Sequence, residues 1–185
     1  LNIDFEENSH ELAKCTDIDF VIKSPGISED LEIIDFYRNN DIKVISEIEF
    51  AFNFSKSKII GITGSNGKTT TTTLVHKLIS DANISCSISG NIGNSFSKVC
   101  EDSVQYSTVE LSSFQLDGVE KFRPHIAILT GISPDHLDRY KNYNAYIEAK
   151  FKITKNQSEN DYLIYNSDCD EINKYIKTNN INSIS

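Results

Sequence analysis

The sequence predicts an α/β fold built on a mainly parallel sheet. Three observations carry that prediction. Short apolar runs alternate with helical patterns from one end of the chain to the other. One of these runs leads into GITGSNGKTTTTT (61–73), a glycine-rich loop with Gly-Lys-Thr that opens a helical pattern. The ends of four runs read TGSNGKT, GNIG, ELSSFQ and GISPDHLD, all with glycine, small hydroxyl or amide residues, or candidate metal ligands. Strands that alternate with helices imply right-handed crossovers and a parallel arrangement. Open parallel sheets bind ligands at the carboxyl ends of their strands, so four such loops on one edge form the pattern of an active site.

Taken in order, DFVIK (19–23) and IKVIS (42–46) read as short strands, with a helix at Asp30–Asn39 between them. KIIGIT (58–63), ISCSIS (84–89), YSTVEL (106–111), HIAILT (125–130) and DYLIYN (161–166) read as further strands. Each is short, rich in Ile, Val, Leu or aromatics, and bounded by Gly, Pro, Asn or Asp. Helical patterns follow at 68–82, 93–100, 113–120, 142–156 and 168–178.

The 185 residues suffice for one domain or one and a half. With 38 % hydrophobic and 24 % charged residues, the composition is that of a globular protein with many polar loops. No apolar run approaches the roughly 20 residues of a membrane helix, and no secretory signal opens the chain. The expectations are therefore a cytoplasmic location and no membrane insertion. There is no Met, so the chain is expected to be processed or a fragment. Cys15, Cys86, Cys100 and Cys169 are irregularly spaced without a CxxC pair, which favours reduced thiols over disulfides or zinc. Residues 1–50 carry 13 acidic and 4 basic side chains, the whole net charge of −9, whereas residues 51–185 carry 14 of each. This step marks a candidate domain boundary near AFNFSKS (51–57). It also argues against a nucleic-acid partner, which would favour a basic face.

A loop that leaves a buried strand and enters a helix can aim several backbone N–H groups at one phosphate, assisted by the helix dipole. Gly64, Ser65, Asn66 and Gly67 would form that loop. Lys68 would bring a positive charge to the outer phosphates, and Thr69 a hydroxyl to Mg²⁺, with Thr70 beside it. The general motif would place glycine at position 62, where Ile62 stands; the glycines fall at 61, 64 and 67. The competing reading is a threonine-rich strand, because threonine is a poor helix former. The strand–loop–helix order favours the phosphate site. Glu110 ends an apolar strand, where it would hold Mg²⁺, position a nucleophile, or simply face solvent. In SPDHLDRY (133–140), His136 would contact a metal or a transferred phosphoryl group, while Ser133 and Asp135 would cap a short helix. Asp138–Arg139 reads as a local ion pair. Lys150 is one lysine among several, and His10, His76 and His125 have no partner pattern.

Read together, these loops resemble the Mur ligases, ATP-dependent amino-acid ligases of peptidoglycan precursor synthesis. TGSNGKTTTT is similar to that family's ATP loop, including its departure from the general glycine spacing. GNIG (90–93), ELSSFQL (110–116), DHLDRY (135–140) and Y-x-x-A-K (146–150) follow in the family's order, and the match covers about residues 20–170. ELSSFQL discriminates best, and with SPGIS (24–28) and SEIEF (46–50) it resembles the members that add D-glutamate. The resemblance implies a Rossmann-like N-terminal part followed by a P-loop-containing central domain, truncated at both ends. Residues 1–52 would be the C-terminal part of a UDP-substrate-binding domain. Residues 53–185 would be an incomplete ATP-binding domain, and a C-terminal D-glutamate-binding domain would be absent.

The implied reaction is amide formation between UDP-N-acetylmuramoyl-L-alanine and D-glutamate through an acyl phosphate, with ATP and Mg²⁺, by a monomer. By the same resemblance, Lys68, Glu110, His136 and Lys150 would be catalytic. Thr69, Glu110, His136 and a carbamylated Lys150 would serve the metal. Ser24, Pro25, Gly26, Asn91, Gln115 and His136 would face the substrate. Gly131 stands where the family usually has Asn. The fragment itself is expected to be inactive. A folylpolyglutamate synthase-like ligase and a non-catalytic nucleotide-binding module are the alternatives; ELSSFQL and SPGIS count against the first, and the joint presence of Lys68, Glu110, His136 and Lys150 against the second.

Overall fold

A computed structural model describes residues 4–15, 17–28, 30–179 and 181. Strands β1 (Phe20–Lys23) and β2 (Lys43–Ser46) pair in parallel, joined by helix α1 (Glu32–Asn39). The helix buries Ile33, Ile34 and Tyr37, which cluster with Ile42 in a small core. Its first turn carries Glu32 and Asp35 and its last turn Arg38, the charge order the helix dipole favours.

The larger sheet is built from β3 (Lys58–Thr63), β4 (Cys86–Gly90), β5 (Tyr106–Glu110), β6 (Ile126–Leu129) and β7 (Tyr162–Tyr165). Its order is β4-β5-β3-β6-β7, and every pair is parallel. The chain leaves β3 toward one edge, then crosses after β5 to the other side, so the winding direction reverses at β3. That reversal opens a crevice at the carboxyl end of β3. The register places Glu110 opposite both Ile62 and Gly90, level with the end of β3.

Between the strands lie α3 (Lys68–Asp81), α4 (Phe96–Val99), α5 (Ser113–Asp117), α6 (Tyr143–Phe151) with a 3₁₀ turn at Lys152–Thr154, and α7 (Asp170–Asn179). One core collects Ile59, Val109, Ala127, Leu129 and Leu163 from the sheet, with Phe96, Leu116, Tyr146 and Ile172 from α4 to α7. Helix α3 contributes no residue to this cluster; it lies against β3, β4 and β5. The threonine run does open this helix. Thr72 and Thr73 turn their hydroxyls back to the carbonyls of Lys68 and Thr69, each at 2.8 Å, so that these side chains are satisfied within the helix.

The structure adds one helix to the expected set, α2 (Glu47–Phe52). Ser46 caps it by accepting the Glu49 N–H at 3.1 Å, and the Ser-x-x-Glu spacing at 46–49 is the readable sign of that cap. Ile48 and Ala51 of α2 enter the larger core. The step in charge at 51–57 and the change of packing partner therefore fall at different places. The pattern at 93–100 shortens to Phe96–Val99, because Asn94 is spent earlier, its carbonyl accepting the Gly90 N–H at 2.9 Å. The pattern at 113–120 stops at Asp117, capped by Gly118; the next N–H groups, at 120–122, bond the Glu49 carboxylate instead of continuing a helix.

Candidate functional site

The loop after β3 is held from one side by residues 130–133 and from below by α6. Gly64 has φ +150°, and a Cβ there would lie 2.0 Å from the Thr130 hydroxyl, so the position admits no side chain. Thr130 donates to the Asn66 carbonyl at 2.6 Å. The Ser65 N–H donates to the Gly131 carbonyl at 2.8 Å. The Ser65 hydroxyl donates to the Ser133 carbonyl at 2.9 Å and accepts from the Ser133 N–H at 3.0 Å and the Tyr146 hydroxyl at 2.9 Å. A Cβ at Gly131 would meet nothing within 4 Å, so the place of the family's usual Asn is open space. Helix α3 starts at Lys68 behind Gly67 (φ +81°), and its first intrahelical bond is Thr71 N–H to Gly67 carbonyl. The N–H groups of Lys68, Thr69 and Thr70 thus have no acceptor within the helix, the arrangement that receives a phosphate.

Two lysines meet at one carbonyl. Lys68 Nζ donates to the carbonyls of Gly64 and Ser65, both at 3.0 Å. Lys150 Nζ donates to the same Gly64 carbonyl at 2.8 Å and sits 4.6 Å above the Tyr146 ring. Lys150 is only 2 % exposed. Burial first, then the charge of Lys68, brings its ammonium down to about 7, with Asp135 pulling the other way. Lys150, unremarkable in sequence, is thus a buried amine whose neutral form is readily reached near pH 7. Tyr146, which braces Ser65 and carries Lys150, is fully buried; the sign of its role in the sequence is its place four residues before Lys150, which puts both on one helix face.

Glu110 is equally buried, at 2 % exposure. Its Oε1 accepts from Asn91 Nδ2 at 3.0 Å, and its backbone carbonyl accepts the Asn91 N–H at 2.9 Å. Its Oε2 is buried and unpartnered among the described residues, as are the hydroxyls of Thr63 and Ser89 at the ends of β3 and β4. Gly90 (φ +104°) allows this approach, since a Cβ there would lie 2.2 Å from the Glu110 carbonyl. A buried carboxylate oxygen without a donor fits a cation. Among the described residues no three His, Cys, Asp or Glu side chains gather as a metal cage. The donor set therefore suits Mg²⁺, which keeps waters and takes substrate phosphate oxygens to complete its shell.

Residues 133–140 form turns, not the expected short helix; Asp135 accepts the His136 N–H at 2.9 Å. His136 is half-exposed, adopts φ 52°, and packs on Phe114 with ring centroids 4.9 Å apart. Arg139 lies 4.1 Å over Phe114 rather than in the expected pair with Asp138. Gln115, expected at the substrate, has its Oε1 in the capping box of α5, accepting from the N–H and hydroxyl of Ser112 at 2.9 and 3.1 Å. Ser24, Pro25 and Gly26 form the turn after β1, closed by the Ile27 N–H to the Ser24 carbonyl at 3.0 Å. Pro25 faces a cleft of about 640 Å³ shared with Lys23, Phe114, Asp117, Tyr140 and Lys152. The structure thus joins Gly64, Ser65, Lys68 and Lys150 by direct contacts, and Asn91 with Glu110; the turn at 24–26 approaches from the smaller sheet.

Comparison with known proteins matches this arrangement. The model of the Mur ligase middle domain matches residues 62–185. A UDP-N-acetylmuramoylalanine–D-glutamate ligase of Christiangramia forsetii is 49 % identical over 99 % of this chain and 42 % of its own length. One of Bacteroides fragilis is 46 % identical over 90 % of this chain and 38 % of its own. The chain spans about two fifths of the length of these curated relatives. Among solved structures, a UDP-N-acetylmuramate:L-alanyl-gamma-D-glutamyl-meso-diaminopimelate ligase from Neisseria meningitides superposes with TM-score 0.62 at 15 % identity, covering 86 % of this chain and 55 % of that one. The MurF ligase from Thermotoga maritima, solved with ADP, gives 0.57 at 16 %, covering 88 % and 46 %. At such identities these two show a shared fold. The family model begins at the end of β3, takes in the phosphate loop, Glu110 and Lys150, and spans about two thirds of the sequence; the chain belongs to the Mur ligase family.

Proposed function

We propose that this chain is the nucleotide-binding core of an ATP-dependent ligase that joins UDP-N-acetylmuramoyl-L-alanine to D-glutamate. Residues 1–52 would belong to its UDP-substrate domain and 53–185 to its ATP domain, within a cytoplasmic monomer. The observation that carries the reading is the convergence of Lys68 and Lys150 on the Gly64 carbonyl, beside a buried Glu110 with one vacant oxygen. The relatives' names supply the substrate pair. Cys15, Cys86, Cys100 and Cys169 are free, and no helix among the described residues is long and apolar enough to cross a membrane.

A carboxylate oxygen is a poor leaving group, and a phosphate is a good one. In the reaction, an oxygen of the alanyl carboxylate attacks the γ-phosphorus of ATP and the bond to the β-phosphate oxygen breaks, releasing ADP. The neutral amine of D-glutamate then attacks the acyl carbon, the C–O bond to phosphate breaks, and the nitrogen loses a proton. The N–H groups of Lys68, Thr69 and Thr70, which have no acceptor within the helix, would hold the phosphates, and Lys68 would balance their charge. Glu110 and Thr69 would hold Mg²⁺, which neutralises charge on the phosphate oxygens when bound. The neutral form of Lys150 can add CO₂ and lose one proton to solvent, becoming a carbamate, an anion that would suit a second Mg²⁺, while its remaining N–H keeps the Gly64 contact. His136 would face the transferred group, and Asn91, Gln115 and residues 24–26 the UDP-sugar.

The test is product formation from ATP, Mg²⁺, D-glutamate and UDP-N-acetylmuramoyl-L-alanine. The whole parent protein turns over and the 185-residue chain alone does not. A parent that binds ATP yet forms no amide would refute the substrate assignment.

A further inference from the structure

We propose that Asp117 is a positioning residue: it anchors Tyr140 and Lys152, and through Tyr140 it sets the turn that presents His136. The proposal rests on the ligase reading for its kinetic consequence but not for its geometry.

His136 sits in the left-handed region at φ 52°, which a side-chain-bearing residue occupies only when its surroundings hold it there. Its own N–H is held by the Asp135 carboxylate at 2.9 Å, and on the other side a turn holds it. The His136 carbonyl accepts the N–H of Arg139 at 3.0 Å and of Tyr140 at 3.3 Å. The far end of that turn is therefore fixed through Tyr140. The Tyr140 ring stacks on Phe114 at 5.8 Å with 10° between planes and meets Tyr146 edge-on at 5.4 Å. Phe114 also carries the His136 ring, and Tyr146 holds Ser65 of the phosphate loop. Stacked rings slide at little cost, so the stack alone leaves the turn free to shift. The Tyr140 hydroxyl removes that freedom by donating to Asp117 Oδ2 at 2.8 Å.

Asp117 is well placed for this. It ends α5, the same helix that carries Phe114, so both the stack and the hydrogen bond refer the turn to one rigid element. Its second oxygen accepts from Lys152 Nζ at 2.7 Å, just past the end of α6, the helix that carries Lys150. One carboxylate thus ties together the segments that bear His136, Phe114 and Lys150. It does so on the wall of the cleft that faces the turn after β1. Both bonds are charge-assisted, and Asp117 is mostly shielded from water, with 23 % of its side chain exposed.

Two readouts test this on the same variants, Tyr140→Phe, Asp117→Asn and Asp117→Ala. The first is the ring resonances of the protein's four histidines. In the unsubstituted protein, His136 shows ring-current shifts from Phe114 and Tyr146. Tyr140→Phe, which keeps every ring, moves the His136 resonances toward those of a free imidazole and leaves His125 unmoved. Unmoved His136 resonances in Tyr140→Phe and Asp117→Asn overturn the proposal, whatever the protein's activity. The second readout is kinetic, in the whole protein. kcat falls at least tenfold in Tyr140→Phe and Asp117→Ala, KM for ATP stays within twofold, and the double variant loses no more than Asp117→Ala alone. Losses that multiply, or that appear equally in KM for ATP, would mean general loosening and overturn the positioning role. If the unsubstituted whole protein forms no product, the ligase reading fails, and the histidine resonances still decide the role of Asp117.

Discussion

Glu49 and Glu110 are both 2 % exposed, and they are treated in opposite ways. The carboxylate of Glu49 accepts the backbone N–H groups of Glu120, Lys121 and Phe122, at 2.9 to 3.1 Å. Both of its oxygens are satisfied by a loop that would otherwise have to bury unpaired donors. Glu110 has one amide on Oε1 and, among the described residues, nothing on Oε2. Burying a carboxylate is costly in either place. At Glu49 the cost is offset within the fold, and the group is structural. At Glu110 it is left partly open at the end of the strand beside the phosphate loop, where only an incoming cation or donor can close it. On the proposed function, the difference between these two glutamates is one between stability and function.

The largest expected effect separates them by activity. Glu110→Gln in the whole protein lowers kcat by about 10²–10³-fold, the scale for loss of one preorganised charge contact, while the melting temperature holds or rises. If this substitution instead unfolds the protein and leaves kcat per folded molecule intact, Glu110 belongs with Glu49 and the contrast collapses. Next is Glu49→Ala, which leaves three N–H groups without their acceptor, that of the buried Phe122 among them. Chemical denaturation shows a loss of about 3 kcal/mol or more, with kcat per folded molecule unchanged at a temperature where the variant folds.

A buried cation at the site sharpens the same contrast. The folded-state value for Lys150, about 7, lies below its unfolded value. Above pH 7 the unfolded chain therefore binds more protons than the folded one, and stability rises with pH until the unfolded lysine also titrates. Between pH 7 and 9 the gain from this one group is roughly 2 kcal/mol, and Lys150→Met abolishes it. A variant whose stability climbs as steeply as the parent's would show that another group carries the slope. The smallest effect lies at the opposite end of the sheet, where Asp161 bonds Arg123 at 2.6 Å and His125 at 3.2 Å. Burial works to raise its carboxyl, and the bonds from Arg123, the Ser158 N–H and His125, with the Arg123 charge, outweigh it and hold the group below the ordinary range. Its contribution is present above the unfolded value and lost as pH falls through the folded one. Asp161→Asn should flatten acid unfolding below pH about 4 and leave the pH 7–9 slope untouched.

Much of this was legible along the chain. The seven strands lie within a residue or two of the expected runs, because apolar periodicity and the flanking Gly, Pro and Asn act over a few residues. The phosphate loop was readable for the same reason: strand, glycines, lysine and helix are consecutive. The end of α5 at Asp117 was not, because the N–H groups after it are claimed by Glu49, some 70 residues earlier in the chain. The Gln115 oxygen completes a local cap readable in Ser112-x-x-Gln115; the substrate role proposed for Gln115 would fall to its amide nitrogen.

The sequence by itself determined the alternating strands and helices, the parallel sheet, the loop that receives phosphate, and the resemblance that gave the lysines and Glu110 their expected roles. Only the tertiary structure decided which of them are chemically unusual. The Lys150 ammonium is brought down to about 7 because it is buried beside the carbonyl of Gly64, 86 residues away, with the charge of Lys68 on the same atom. Glu110 keeps a vacant oxygen because its neighbours across the sheet are a glycine and an isoleucine. Charge in a protein is governed by what surrounds a group in space, and sequence order carries that information only for neighbours within a turn or two.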